Sequence, residues 1–145
     1  MPPNGRRMLL GSGAALLAGS MLRVSAQPRI PSNEASARWY EAAVEMKRLA
    51  ESWGDQPYGA VLVLDGELVG QGPSRVVKNQ NPDAHAEREA IRDAQLKLGR
   101  ESLLGAVLYS TSRPCSRCEA VAAKAGISRM YFGPSLTDAG VPETT

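Results

Sequence analysis

Between Trp39 and Trp53 the apolar side chains Trp39, Ala43, Met46, Leu49, Ala50 and Trp53 recur at three- and four-residue steps. That spacing gathers them on one face of a helix, and Ser32 stands where a cap belongs, so a helix is predicted over Ser32–Trp53 with its aromatic stripe in the core. The period then changes. Ala60–Leu64 is almost continuously apolar, the pattern of a strand buried on both faces, and Asp65-Gly66 separates it from a second strand over Glu67–Gly70. Asp-Gly between apolar runs is a hairpin signal, because both residues tolerate positive φ. A polar loop, "PSRVVKNQNPD", leads to a helix over Ala84–Leu98, with Asp83 as the expected N-cap and Gly99 as its stop. Ala90, Ile91, Ala94 and Leu98 share its apolar face. Ala106–Thr111 reads as a third strand, Cys115–Ala125 as a helix closed by Gly126, and Ser128–Gly133 as a fourth strand. Strands alternating with helices predict an α/β fold with helices covering the sheet. Residues 134–145 carry no such pattern and are expected to form a C-terminal tail.

The first 26 residues differ from the rest. Arg6 and Arg7 precede a moderately apolar Gly/Ala-rich stretch from Met8 to Leu22, and small residues follow at Val24, Ser25 and Ala26. This is the layout of a cleaved export signal of the twin-arginine type, with cleavage after Ala26. An uncleaved anchor is the weaker alternative, since a spanning helix needs about 20 apolar residues. The sequence therefore divides into an export signal (1–26), a linker (27–36), a domain (37–133) and the tail. Removal of residues 1–26 takes away three arginines and no acid, leaving 14 basic against 15 acidic residues, a net charge of −1. Without a Lys/Arg run, the expected mature domain lacks the basic footprint typical of nucleic-acid binding. A periplasmic or secreted location is expected.

The candidate chemistry lies in two short stretches. "NPDAHAERE" holds the only histidine, His85, and "TSRPCSRC" holds the only cysteines, Cys115 and Cys118. In an exported chain two cysteines suggest a disulfide, and CxxC also suits a redox pair. A metal site is the third reading. Pro114 favours the first turn of a helix, which sets the two thiols one helical step apart, while the helix dipole, Arg113 and Arg117 favour thiolates. His85 lies at the start of its own helix. If both helices follow parallel strands, their N-termini meet beyond the same sheet edge. One imidazole and two thiolates make a three-ligand zinc site with an open fourth position, the catalytic arrangement, in which zinc makes hydroxide available near neutral pH. Glu87 is the candidate for moving the proton to a leaving group, whereas Glu89 is expected to be solvated.

HxE followed by PCxxC resembles the signature of the zinc-dependent nucleoside and nucleobase deaminases. The similarity extends over "PYGAVLVLDGELVGQGPSRVVKNQNPDAHAEREAI" and "LYSTSRPCSRCEAVAAKAGISRMYFG", most of Ala37–Gly133, and is to the branch of tRNA adenosine deaminases, guanine deaminases and cytosine deaminases. The resemblance implies a three-layer αβα sandwich around a mixed sheet. It implies one zinc per chain on His85, Cys115 and Cys118, Glu87 as proton shuttle, and the backbone N–H of Ala86 as a substrate contact; the shortened C-terminal part is instead a departure, since the C-terminal helix and final strand of many relatives are not visible after Gly133. Two departures bear on substrate. The branch commonly reads GxNR where this chain has "GPSR", placing Ser74 at the position of an Asn that touches substrate, and Arg113 stands where many members carry Glu. Both are candidate substrate contacts. Expected from all this is hydrolytic deamination of a free base or nucleoside in an exported protein, with that small molecule as partner, no nucleic acid, no membrane contact after signal cleavage, and a homodimer. Three alternatives remain: a zinc- or ligand-binding module without catalysis, a tRNA adenosine deaminase-like activity, and a dithiol oxidoreductase.

Overall fold

The computed structural model describes residues 33–144, together with Gly11; apart from that glycine the expected signal over 1–26, and most of the expected linker, lie outside the described residues. The elements in chain order are α1 (Asn33–Ser52), β1 (Gly59–Leu64), β2 (Glu67–Pro73), α2 (Ala86–Leu98), β3 (Val107–Ser110), α3 (Ser116–Ala125), β4 (Arg129–Phe132) and β5 (Thr137–Gly140). They build one five-stranded sheet in the order β2-β1-β3-β4-β5. β1 runs antiparallel to both β2 and β3, so β2 and β3 point the same way, and β4 runs parallel to β3. Consequently α2, which follows β2, and α3, which follows β3, begin at the same edge of the sheet. The sheet is mixed, as the family resemblance implies. No described helix is long and apolar enough to cross a membrane.

The period of two along the strands sorts the core into two layers. Ala60, Leu62, Leu108 and Met130 face α2 and α3, where they meet Ala90, Ile91, Ala94, Ala122 and Ala125. Val61, Val63, Tyr109 and Tyr131 face α1, packing with Ala43, Trp39 and Met46. Helices on both faces of the sheet give the three-layer αβα sandwich. The continuous apolar run of β1 is explained by this burial on both sides. The Asp65-Gly66 turn is left-handed at both residues, φ 52° and 76°, as a tight hairpin requires. At Gly72 of β2, an added Cβ would run into the carbonyl of Ala86 and the amide of Ala90. The absent side chain lets the sheet approach the first turns of α2 closely.

Three local expectations change. The helix over 33–52 begins inside the stretch assigned to the linker, and its aromatic stripe is only partly core. Trp53 lies beyond α1 and presents its ring to Arg75 and Lys78, 4.8 and 3.9 Å from the ring centroid, while Leu49 is exposed. α2 is capped by His85, which is extended (ψ 152°), and not by Asp83. The Asp83 carboxylate instead lies between two cations, 3.4 Å from Arg88 and 3.5 Å from Arg117. Finally, the expected tail contains β5, paired antiparallel with β4 and tied by an Arg129–Asp138 ion pair. Its sequence, "TDAG", has neither apolar alternation nor β-branched runs, so only the pairing partner reveals it.

Candidate zinc and catalytic site

The common edge at which α2 and α3 begin brings together the two motifs read from the sequence. Cys115 is the N-cap of α3, and its Sγ accepts from the backbone N–H of Cys118. His85 is the N-cap of α2. Both thiols are free. Their Sγ atoms lie 3.3 Å apart and stand 3.6 Å (Cys115) and 3.4 Å (Cys118) from His85 Nδ1. Tetrahedral zinc with Zn–S of about 2.3 Å and Zn–N of about 2.0–2.1 Å requires S···S of about 3.8 Å and S···N of about 3.6 Å. The three atoms therefore fit one zinc ion with little movement, and they form a potential metal cluster among the described residues. Burial, followed by the nearby Glu87 carboxylate, pushes the Cys118 thiol far above the ordinary thiol range. A thiolate in that position needs a cation, and the donor set of one imidazole and two thiols suits zinc.

Glu87, in the first turn of α2, is buried at 4% exposure and its Oε1 accepts a 2.7 Å hydrogen bond from Ser110 Oγ, itself fully buried. Ser110 ends β3 on the face that carries Leu108, the face toward α2. Among the described residues the second carboxylate oxygen has no such partner, and no buried side-chain oxygen is left unsatisfied. That oxygen is therefore open to the cavity that Glu87 lines. The cavity, about 440 Å³, is bounded by Gln56, Tyr58, His85, Ala86, Glu87, Ser112, Arg113 and Cys115. Ala86 opens α2, where a backbone N–H has no acceptor within the helix. Its amide is thus available to a bound molecule.

The other expected contacts divide. Arg113 lines the cavity, with its guanidinium 5.6 Å from the Phe132 ring centroid. Ser74 does not line it: the residue is fully buried and its hydroxyl donates to Asp55 Oδ1 at 3.0 Å. Asp55 also accepts from the backbone N–H groups of Gln56 (2.8 Å) and Lys78 (2.7 Å). Burial pushes the Asp55 carboxyl up, but these N–H groups, with Val77 and the Ser74 hydroxyl, hold it below the ordinary carboxylate range. Ser74 thus belongs to an anchor that ties Asp55 to the loop following β2. Glu89 is not solvated as expected: its side chain is 13% exposed and lies 3.5 Å from Arg75.

Sequence reasoning missed Ser110 and the second wall of the cavity. The signal for Ser110 was its place two residues after Leu108, a lone hydroxyl on a buried strand face directed at the His85 helix. Gln56 and Tyr58 reach the site because β1 is stapled to the end of β3, with Thr111 Oγ1 accepting from Gly59 N at 3.1 Å and Gly59 O accepting from Thr111 N at 2.9 Å.

Comparison with known proteins adds to this geometry. The family model for the cytidine and deoxycytidylate deaminase zinc-binding region matches residues 33–134. The tRNA-specific adenosine deaminase of Agrobacterium fabrum is 39% identical over 104 residues, covering 72% of this chain and 68% of that protein. A solved structure from a study of A-to-I editing by tRNA:A34 deaminases superposes with a TM-score of 0.63 at 40% identity, over 66% of this chain and 73% of that one. The crystal structure of guanine deaminase from Bacillus subtilis gives a TM-score of 0.65 at 30% identity, over 71% and 64% of the two chains. Against several curated relatives the chain spans little more than half their length. These matches overturn one expectation, that of a small-molecule partner with no nucleic acid, since tRNA-specific enzymes stand among the most similar proteins. The expectation rested on net charge, which is a property of the whole surface. It does not register single cations placed at a site, such as Arg113 at the cavity.

Proposed function

This chain belongs to the cytidine and deoxycytidylate deaminase zinc-binding family, and from that premise we propose that it hydrolyses the exocyclic amino group of an adenine held in an RNA strand. The deaminase chemistry and the zinc are properties of the family; the adenine and the RNA are supported by the tRNA-specific relatives. One observation carries the catalytic reading. Glu87 is a buried carboxylate with one oxygen fixed by Ser110 and the other open, beside the three-ligand cluster and on the wall of the same cavity.

His85, Cys115 and Cys118 would hold the zinc, which when bound would supply the Lewis acidity that makes water a nucleophile near neutral pH. Glu87 does the proton work: its free oxygen takes a proton from the attacking water and returns it to the departing amino group. Water and the amino-substituted ring carbon thus become a ring carbonyl and ammonia, with no redox change. The Ala86 N–H offers a donor to the base within the cavity. Tyr58, 43% exposed at the cavity wall, offers a ring on which a base extruded from a strand can stack.

A substrate panel tests the proposal. The zinc-loaded protein is incubated with an RNA stem-loop carrying adenosine in its loop, with free adenosine and adenine, and with guanine and cytidine, and ammonia and product are identified. Turnover of the stem-loop far above that of free adenosine is expected. Turnover confined to guanine or another free base would refute the RNA substrate, and zinc binding without turnover on any member would refute the catalytic reading.

A further inference from the structure

We propose that Arg113 is a specificity-determining residue that reads a phosphate on the target nucleotide, so that the cavity takes phosphorylated nucleotides in preference to bare nucleosides. This rests on the deaminase reading above and adds to it the chemical group that sets substrate class.

The cations around the site are otherwise committed. Arg88 and Arg117 share Asp83, and Arg75 pairs with Glu89. Arg113 has no carboxylate within ion-pair distance among the described residues; its guanidinium lies over the Phe132 ring. Stacking on an aromatic face holds a guanidinium in place without using its N–H edge, which stays available to a planar or tetrahedral oxyanion. Of the residues bounding the cavity, Arg113 is the one fixed cation, and it is exposed, whereas Glu87 is buried. A base whose amino group reaches Glu87 must therefore direct its outer substituents toward the solvent side. Of the residues that bound the cavity, Gln56, Tyr58, Arg113 and Cys115 are exposed, and none of these four is a carboxylate that would repel an anion. Phosphate suits this set better than a ring carbonyl does, because it brings a charge opposite to that of the guanidinium and two oxygens that can accept its paired N–H groups side by side.

The test is equilibrium binding to zinc-loaded Glu87→Gln protein, which prevents turnover, using adenosine against adenosine 5′-monophosphate and guanosine against guanosine 5′-monophosphate. In the Arg113 protein, the nucleotide of at least one pair is expected to bind more tightly than its nucleoside by about 10- to 150-fold, the range for a charged hydrogen bond. Arg113→Gln is expected to erase that difference by weakening the nucleotide more than the nucleoside, with zinc content and folded signal unchanged, and Arg113→Lys to retain part of it. Equal affinity within both pairs, no binding of either pair, or a nucleotide preference that survives Arg113→Gln would overturn the proposal. A parallel turnover assay with Glu87 intact separates the two readings. Deamination with no phosphate preference defeats only the role of Arg113, and phosphate-dependent binding with no deamination defeats only the catalytic reading.

Discussion

Replacing Ser110 with alanine removes one hydroxyl, and the structure sets what that loss does. Ser110 Oγ donates to Glu87 Oε1 at 2.7 Å, and both residues are buried. A hydrogen bond to a charged group contributes about 1.5–3 kcal/mol, and a buried acceptor left without its partner costs a similar amount. The folded state should thus lose about 1–3 kcal/mol, read as a lower denaturant midpoint at unchanged slope. The catalytic effect has a separate origin. Without the bond, the carboxylate is free to rotate away from the cluster, and about 1.5–3 kcal/mol of lost positioning corresponds to a drop of roughly 10- to 150-fold in kcat/KM. The decrease should fall on kcat more than on KM, since Ser110 does not line the cavity. Zinc content should stay at the wild-type value, because Ser110 is not a ligand. The assay is steady-state kinetics on the best substrate of the panel, with metal analysis and urea titration of the same preparations. A variant with kcat within twofold of wild type would refute the role assigned to this bond.

Two further outcomes follow from the same geometry. Gly72→Ala places a Cβ against the backbone of Ala86 and Ala90; overpacking of this kind costs about 1–3 kcal/mol or more, and the shift of α2 should weaken zinc retention during dialysis against a chelator, whereas an unchanged zinc off-rate would show that this contact does not position His85. Asp55 has a folded-state pKa held below its unfolded value, so its contribution to stability is fully present above the unfolded pKa near 4 and disappears as pH falls through the lower folded value. Asp55→Asn should therefore be less stable than wild type at pH 7 by urea titration, with the difference shrinking in strong acid; a difference independent of pH would contradict the anchor.

Much of the architecture was written in local patterns. The apolar run of β1, the Asp65-Gly66 turn and the three-residue steps of α1 and α2 each report a contact within a few positions, so periodicity finds them. The site was legible to the extent that HxE and PCxxC each place their groups within one helical turn. What escaped the sequence is nonlocal. Ser110 and Glu87 are 23 positions apart and meet only because β3 lies beneath α2. Asp55 finds Ser74 and Lys78 across the β1-β2 hairpin, and β5 exists through its pairing with β4. Asp83 shows the opposite failure: its residue type and position suit an N-cap, but Arg88 and Arg117 draw its carboxylate away and His85 takes that place.

The central claim is that a metal cluster and one carboxylate divide the labour in this cavity. Glu87→Ala, compared with wild type, tests it directly by zinc per chain and by ammonia released from the best substrate of the panel. One zinc per chain in both proteins is expected, with turnover of the variant lowered at least 100-fold, the lower end of the range for a general acid–base group. Comparable turnover in the variant, or wild-type protein that holds no zinc, would contradict the account.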